Sequence, residues 1–187
     1  MQFEPYDNTV KSSKPDPRLI FELASHEHLM QILKISQEHE SSDLQKAKDR
    51  FVHEIDINST DKPHRLFVAL NESGVLGFCR YFHSDLLAQN KILYSSPTGF
   101  YNMGITIKKT ARRQGIGTFL SLNREKHLIR EGVKTIYSGV SAQNLSSIRF
   151  HKKQLFTPTK DTPGFLHVSF DCKSGILFKK NLNTLNT

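Results

Sequence analysis

Apolar positions along this chain recur with two different periods, and the alternation between them outlines its elements. Leu29, Ile32 and Leu33 fall at helical spacing within HEHLMQILKISQEH, and Leu44, Ala47, Phe51 and Ile55 recur on one face of DLQKAKDRFVHEI. Ser42 followed three residues later by Gln45 predicts a capping box at the start of the second helix. Runs rich in β-branched and aromatic residues predict strands at RLIFELAS, RLFVAL, VLGFCRYF, FYNMGITI and VKTIYSGV, with RLFVAL and VLGFCRYF joined as a hairpin through the turn NESG. GIGTFLSLNREKHLIRE reads as a helix stopped by Gly132, and LSSIRFHKK as a short one. GFLHVSF and GILFKK are expected to close the chain as a hairpin across DCKSG. Residues 83–98 read as a loop, and no internal repeat is visible.

The resulting order is strand, two helices, three strands, helix, strand, helix, two strands. It predicts an α/β (α+β) fold in which a mixed sheet carries helices on its faces. Residues 1–17, with Pro5, Pro15 and Pro17 among polar neighbours, form an extended arm; residues 18–181 form the domain, and 182–187 a tail. A length of 187 residues suits one domain. Cys79 and Cys172 have no partner at metal-ligand spacing, so neither a zinc site nor a disulfide framework is expected. The N-terminal stretch lacks an apolar core and no long apolar run follows, which predicts a cytoplasmic protein without a membrane span.

Charge changes the picture at one place. The formal net charge is +8, and much of it is scattered over helix faces where charges of both signs alternate. The dense cluster is Lys108, Lys109, Arg112 and Arg113, inside ITIKKTARRQGIGTFL. There Arg112-x-x-Gly115-x-Gly117 lies between a predicted strand and a predicted helix. Glycine permits tight turns, and the first amides of a helix are left without intrahelical partners. Dipole and amides together favour an anion, with Gln114, Gly115, Ile116, Gly117 and Thr118 supplying the backbone N–H groups. The stretch is neither a Walker A loop nor a dinucleotide fingerprint, because it lacks the lysine of the first and the third glycine of the second.

Together with NLSSIRFHKKQLF, this loop resembles the GNAT N-acetyltransferase superfamily. Its pyrophosphate loop is Gln/Arg-x-x-Gly-x-Gly/Ala, and its later signature is N-x-x-A-x-x-F-Y-E-K-L-G-F. Asn144, Ser147, Phe150, Lys153 and Phe156 fall in register with that signature without a gap. The resemblance covers roughly residues 18–181. It implies a mostly antiparallel central sheet of about seven strands with helices on both faces, and acetyl-CoA as acyl donor without a metal. The partners it implies are acetyl-CoA and a small-molecule or peptide amine, with the protein as monomer or homodimer. It further implies that Ile105 and Ile107 on the strand, Arg112 and Arg113 in the loop, and Asn144, Ser147 and Phe150 on the later helix contact the coenzyme. A bulge at Gly104 would splay two parallel strands, freeing backbone groups for the pantetheine arm; close packing is the competing reason for that glycine.

The chain departs from the family pattern in two ways. No glutamate stands on FYNMGITI, where a general base is common, so proton acceptance passes to water, His83 or Asp85. His151 occupies the position of the tyrosine that protonates the departing thiolate. An imidazolium, with a pKa near 6.5, is a stronger acid than tyrosine at about 10, but a lone histidine on a helix also serves as a solvated or packed residue. Tyr94, Tyr101 and Asn102, with Phe100, are the candidates for the acceptor pocket. Two further classes compete with the enzyme: a silent acyl-CoA sensor, and a basic nucleic-acid module. For the latter no recognition motif is present.

Overall fold

The computed structural model describes residues 14–39 and 43–182. Seven strands hydrogen-bond in the order β1-β2-β3-β4-β5-β9-β6. They are β1 (Ile20–Leu23), β2 (His64–Asn71), β3 (Gly74–His83), β4 (Phe100–Ile107), β5 (Thr135–Ser141), β6 (Thr157–Thr162) and β9 (Gly175–Asn181). β1–β2, β5–β9 and β6–β9 are antiparallel, and β4–β5 is parallel. The helices are α1 (Leu29–Gln37), α2 (Leu44–Asn58), α3 (Ile116–Arg130) and α4 (Leu145–Lys153). The predicted mixed, mostly antiparallel sheet of seven strands is therefore present.

One of those seven differs from expectation. GFLHVSF does not pair with GILFKK; it folds on itself as a two-stranded ribbon, β7 (Gly164–Phe165) with β8 (Val168–Ser169). The partner of β9 on that side is β6, TPTKDT, whose residues before Thr162 are all exposed. A solvated edge strand has no apolar face to alternate, so periodicity cannot reveal it.

The chain divides into two compact units. Among the described residues one comprises 14–39, 43–81 and 103–127, the other 82–102 and 128–182. In the first, Ile32 and Leu33 of α1 and Phe51 and Ile55 of α2 bury against Leu66, Val68 and Phe78 of β2 and β3. That is the face the helical spacing marked out. Ser42 lies outside the described residues; the N-cap of α2 is Asp43, whose carboxylate accepts the Lys46 amide at 3.0 Å. In the second unit, Ile136 and Val140 of β5, Leu177 and Phe178 of β9, and Phe156 and Phe165 are buried. Among the described residues no helix is long and apolar enough to cross a membrane, and no cluster of three metal-ligating side chains occurs.

The first unit also contains a half-buried ion pair, in which Arg80 of β3 donates from Nη1 to both carboxylate oxygens of Glu54, at 3.0 and 3.1 Å. His64 opens β2, and among the described residues its buried Nε2 has no hydrogen-bond partner. Burial pushes its pKa down to about 4; the Glu54 carboxylate opposes this, and the cations Arg80 and Arg65 reinforce it. Between pH 6.5 and 4 the unfolded chain takes up a proton that the folded one refuses, so stability falls as pH falls through that window and is unaffected above it. The shift corresponds to about 3 kcal/mol. Urea unfolding of wild type and His64→Gln at pH 7 and pH 4 should show the variant losing less stability over that interval by a comparable amount.

Candidate active site

The loop between β4 and α3 is fixed at several points. The Lys108 amide donates to Leu76 O at 2.9 Å, a 3-10 turn spans Lys109–Ala111, and Gln114 Nε2 donates to Thr110 O at 3.1 Å. Ala111 and Ile116 are buried and anchor the loop's ends. Between them the backbone turns left-handed twice, at Arg113 (φ 65°) and Gly115 (φ 78°). Phe119 N–H bonds to Gly115 O at 2.9 Å and so starts the ladder of α3. The amides ahead of it have no carbonyl in their own helix to meet. Left-handed turns leading into a helix N-terminus are a geometry that suits an anion, and Gln114, Gly115, Ile116, Gly117 and Thr118 occupy it here.

Arg112 does something the sequence did not suggest. Its guanidinium donates from Nη2 to the imidazole of His39, with Nδ1 at 3.0 Å, while His39 Nε2 lies 2.8 Å from Ile107 O. A carbonyl only accepts and a guanidinium only donates, so His39 carries its proton on Nε2 and accepts at Nδ1. Glu38 Oε2 accepts the Lys109 amide at 2.6 Å. The C-terminal end of α1 thus braces the loop, and partial burial lowers the pKa of Arg112. Nothing in the spacing of Glu38 and His39 signals this, because they sit in a polar helix end.

Gly104 has φ +61°, and a Cβ built there would meet nothing within 4 Å. Backbone conformation, and not close packing, is why glycine stands there. Its carbonyl accepts from Arg124 Nη1 of α3 at 3.4 Å, and the same nitrogen donates to Arg80 O at 3.1 Å. Arg124 is buried, and desolvation lowers its pKa; it is a tie across this irregular part of the sheet that the sequence reading missed. Ile105 and Ile107 follow Gly104, both half-buried.

In the second unit the parallel pairing of β4 with β5 consists of Phe100↔Ile136 and Tyr101↔Tyr137 and then stops, although β5 continues to Ser141 against β9. Asn102 and Ser138 are the next residues at this fork. α4 follows β5, capped by Asn144, whose Oδ1 accepts the Ser147 amide and the Ser146 hydroxyl, both at 3.0 Å. His151 is held at both ring nitrogens: Nδ1 lies 2.7 Å from Ser147 O and Nε2 2.8 Å from Ser138 Oγ. The carbonyl requires Nδ1 to be the donor, so in the neutral ring Nε2 accepts the Ser138 hydroxyl proton. The ring stacks on Phe178 at 5.3 Å and meets Phe156 and Phe150 edge-on. It is integrated into the packing of α4.

Of the candidates for the acceptor side, Tyr101 is fully buried. Its hydroxyl donates to Pro97 O at 2.6 Å, its ring stacks on Phe82 and Phe165, and burial raises its pKa. It is a core residue. Tyr94 bridges to Leu166 and its hydroxyl lies 2.8 Å from Ser169 Oγ, so it joins the 83–99 loop to the β7–β8 ribbon. Gly139 lets Phe165 lie flat over β5, where any Cβ would collide with the ring. His83 Nδ1 accepts the Asp85 amide at 3.3 Å in a local turn. His167, in the ribbon's turn beside Phe82, was not singled out from sequence; burial, reinforced by the cation of Lys91, lowers its pKa.

The model of the acetyltransferase (GNAT) family matches residues 26–156, and the chain belongs to that family. No curated protein matches it. Solved structures with the same fold include the PaiA N-acetyltransferase of Thermoplasma acidophilum in complex with coenzyme A: 17% identity, 87% of this chain and 98% of that one, TM-score 0.65. An N-acetyltransferase from Staphylococcus aureus Mu50 shares 17% identity over 88% of this chain and 99% of its own, TM-score 0.63. Arabidopsis thaliana NAA60, in complex with a bisubstrate analogue, shares 17% over 89% of this chain and 99% of its own, TM-score 0.63.

Because the cap of α4 uses only the side-chain oxygen of Asn144, capping and ligand binding are separable at this residue. Asn144→Asp should keep the thermal midpoint of wild type, whereas Asn144→Ala should lose about 1 kcal/mol. If the side-chain N–H serves the coenzyme, Asn144→Asp should nevertheless bind acetyl-CoA several-fold more weakly; calorimetric titration of both variants checks this.

Proposed function

We propose that the protein is an acetyl-CoA-dependent N-acetyltransferase that acetylates the primary amine of a small molecule or peptide by direct attack on the thioester. The observation that carries this reading is the loop at the start of α3. Left-handed turns at Arg113 and Gly115 lead into the N-terminus of the helix that follows β4, a strand whose backbone takes a left-handed conformation at Gly104. Such a terminus suits a pyrophosphate, and the basic residues around it add a favourable field. Family membership supports the chemistry, and the coenzyme A complex of the Thermoplasma protein supports the ligand.

In this reading the amides of 114–118 hold the pyrophosphate, and Ile105 and Ile107 offer backbone groups to the pantetheine arm. The amine's proton passes to water, His83 or Asp85, and His167, whose pKa burial lowers, joins these candidates. His151 stands at the family's tyrosine position, but its Nδ1 proton is given to Ser147 O and its Nε2 faces Ser138. We therefore assign protonation of the leaving thiolate, whose pKa is about 8.5, to solvent.

Calorimetry with acetyl-CoA, followed by thiol release against amines, amino acids, aminosugars and peptides, tests the reading. Wild type should bind with a stoichiometry of one and release thiol with at least one acceptor class. Binding without release from any of them would favour a silent acyl-CoA sensor. Gly117→Glu places a carboxylate against the pyrophosphate and should weaken binding by about a hundredfold or more. Binding unchanged in this variant would show that the loop is not the phosphate site.

A further inference from the structure

Helix α4 stops on a residue that is unfavourable in two ways. The Leu155 amide bonds to Lys152 O at 3.1 Å and the Phe156 amide to His151 O at 3.0 Å, the paired bonds of a helix stop whose turning residue is left-handed and usually glycine. Here that residue is Leu155, with φ 63°, where a Cβ crowds the backbone. The glycine of the GNAT signature falls at this same position. Among the described residues the other non-glycine positions with positive φ differ from it: Arg113 and Lys173 carry polar side chains, and Leu166 is buried. The Leu155 side chain is 77% exposed, so no packing offsets the strained backbone.

Leu155 does not stand alone. Leu145 is 57% exposed at the start of α4. Leu145, Arg149, Lys152 and Lys153 fall at i, i+4, i+7 and i+8, on one face of the helix, and all of them are exposed. From Val133 to Lys160 the sequence contains no acidic residue. Lysines in a last turn complement the helix dipole, which accounts for them but not for the leucine beyond them. We infer that this face of α4 docks on an anionic lipid surface. Leu155 enters the interface between headgroups and acyl chains, and Arg149, Lys152 and Lys153 meet the headgroup phosphates.

A bilayer accepts an isolated apolar side chain wherever it lands, whereas a folded acidic partner has to supply a fitted pocket for it. A nucleic acid would meet the cations but leave both leucines unused, since aliphatic side chains give bases no ring to stack on. The association is peripheral: cations attract the surface in a salt-dependent way, and the leucine adds apolar burial. It brings the protein to lipid with no segment crossing it, and it is independent of the acetyl-CoA reading.

Co-flotation of the full chain with vesicles of phosphatidylcholine alone, and of phosphatidylcholine and phosphatidylglycerol in equal parts, tests this. Wild type should float with the mixed vesicles only, and added salt should release it. Leu155→Gly should raise the thermal midpoint, because glycine removes the strain. The same variant should bind mixed vesicles about tenfold more weakly, having lost the buried side chain. Lys152→Gln combined with Lys153→Gln should weaken binding at least as much. The chain has no tryptophan, so Leu155→Trp introduces a single reporter. Its emission should shift to the blue with mixed vesicles and stay in place with phosphatidylcholine alone.

Wild type that floats with neither vesicle, or equally with both, overturns the proposal. So does Leu155→Gly that floats like wild type, or a Leu155→Trp variant whose emission is unmoved while the protein floats. Retardation of polyuridylate in place of flotation would identify nucleic acid as the occupant, and a dimer that Leu155→Gly abolishes would identify a second copy of the chain; either result overturns the lipid assignment.

Discussion

A parallel strand pair that ends after two residue pairs is the constraint on which the rest of the site depends. Buried backbone N–H and C=O groups are nearly always paired in folded proteins, and β4 and β5 are long enough to continue their ladder, yet they do not. Gly104, with φ +61°, turns the backbone of β4 where only glycine is unstrained, and Arg124 receives the displaced carbonyl. In the proposed reading, strands that part in this way leave edges available to an extended ligand. The same logic places polar side chains, Asn102 and Ser138, at an otherwise apolar depth.

The phosphate loop and the fork are solved by different physics. In the proposed reading the loop relies on geometry: two left-handed residues and a helix terminus present amides. The guanidinium of Arg112 is directed to His39 and through it to the end of β4. The fork relies instead on buried, directional hydrogen bonding. His151 belongs there as a structural member, caged by Phe150, Phe156 and Phe178 and tied to Ser138. A histidine in that setting has exchanged freedom for order, which suits positioning better than proton shuttling.

The sequence made some of this readable and hid the rest for identifiable reasons. α1, α2, β2, β3 and β5 announced themselves because each buries apolar positions, whereas β1 and α4 were legible from composition and spacing although β1 is largely exposed and α4 has no fully buried residue. β6 was not legible, being a solvated edge, and GFLHVSF misled because its apolar residues pack as a ribbon over Gly139 instead of pairing in the sheet. The loop was legible because glycines between a strand and a helix are a local signal. Gly104 was legible as a strand irregularity, and the open space around it decides between a bulge and tight packing. Asn102 was legible as a candidate for the acceptor pocket; that its side chain has no hydrogen-bond partner among the described residues is a property of the folded packing. Tyr101 looked like a pocket wall and is core, since an aromatic side chain carries no label for which it will be. Arg124, Glu38 and His39 act across long sequence separations, where no spacing rule reaches.

The central claim is that the interrupted strand and the loop receive one extended coenzyme through backbone groups. Amide hydrogen exchange, followed peptide by peptide with and without saturating acetyl-CoA, addresses it most directly. The account predicts that protection rises in the segments containing Ile105 and Ile107 and in 114–118, and that β1 and β2 are unaffected. Acetyl-CoA binding that leaves exchange in 103–118 unaltered would contradict it.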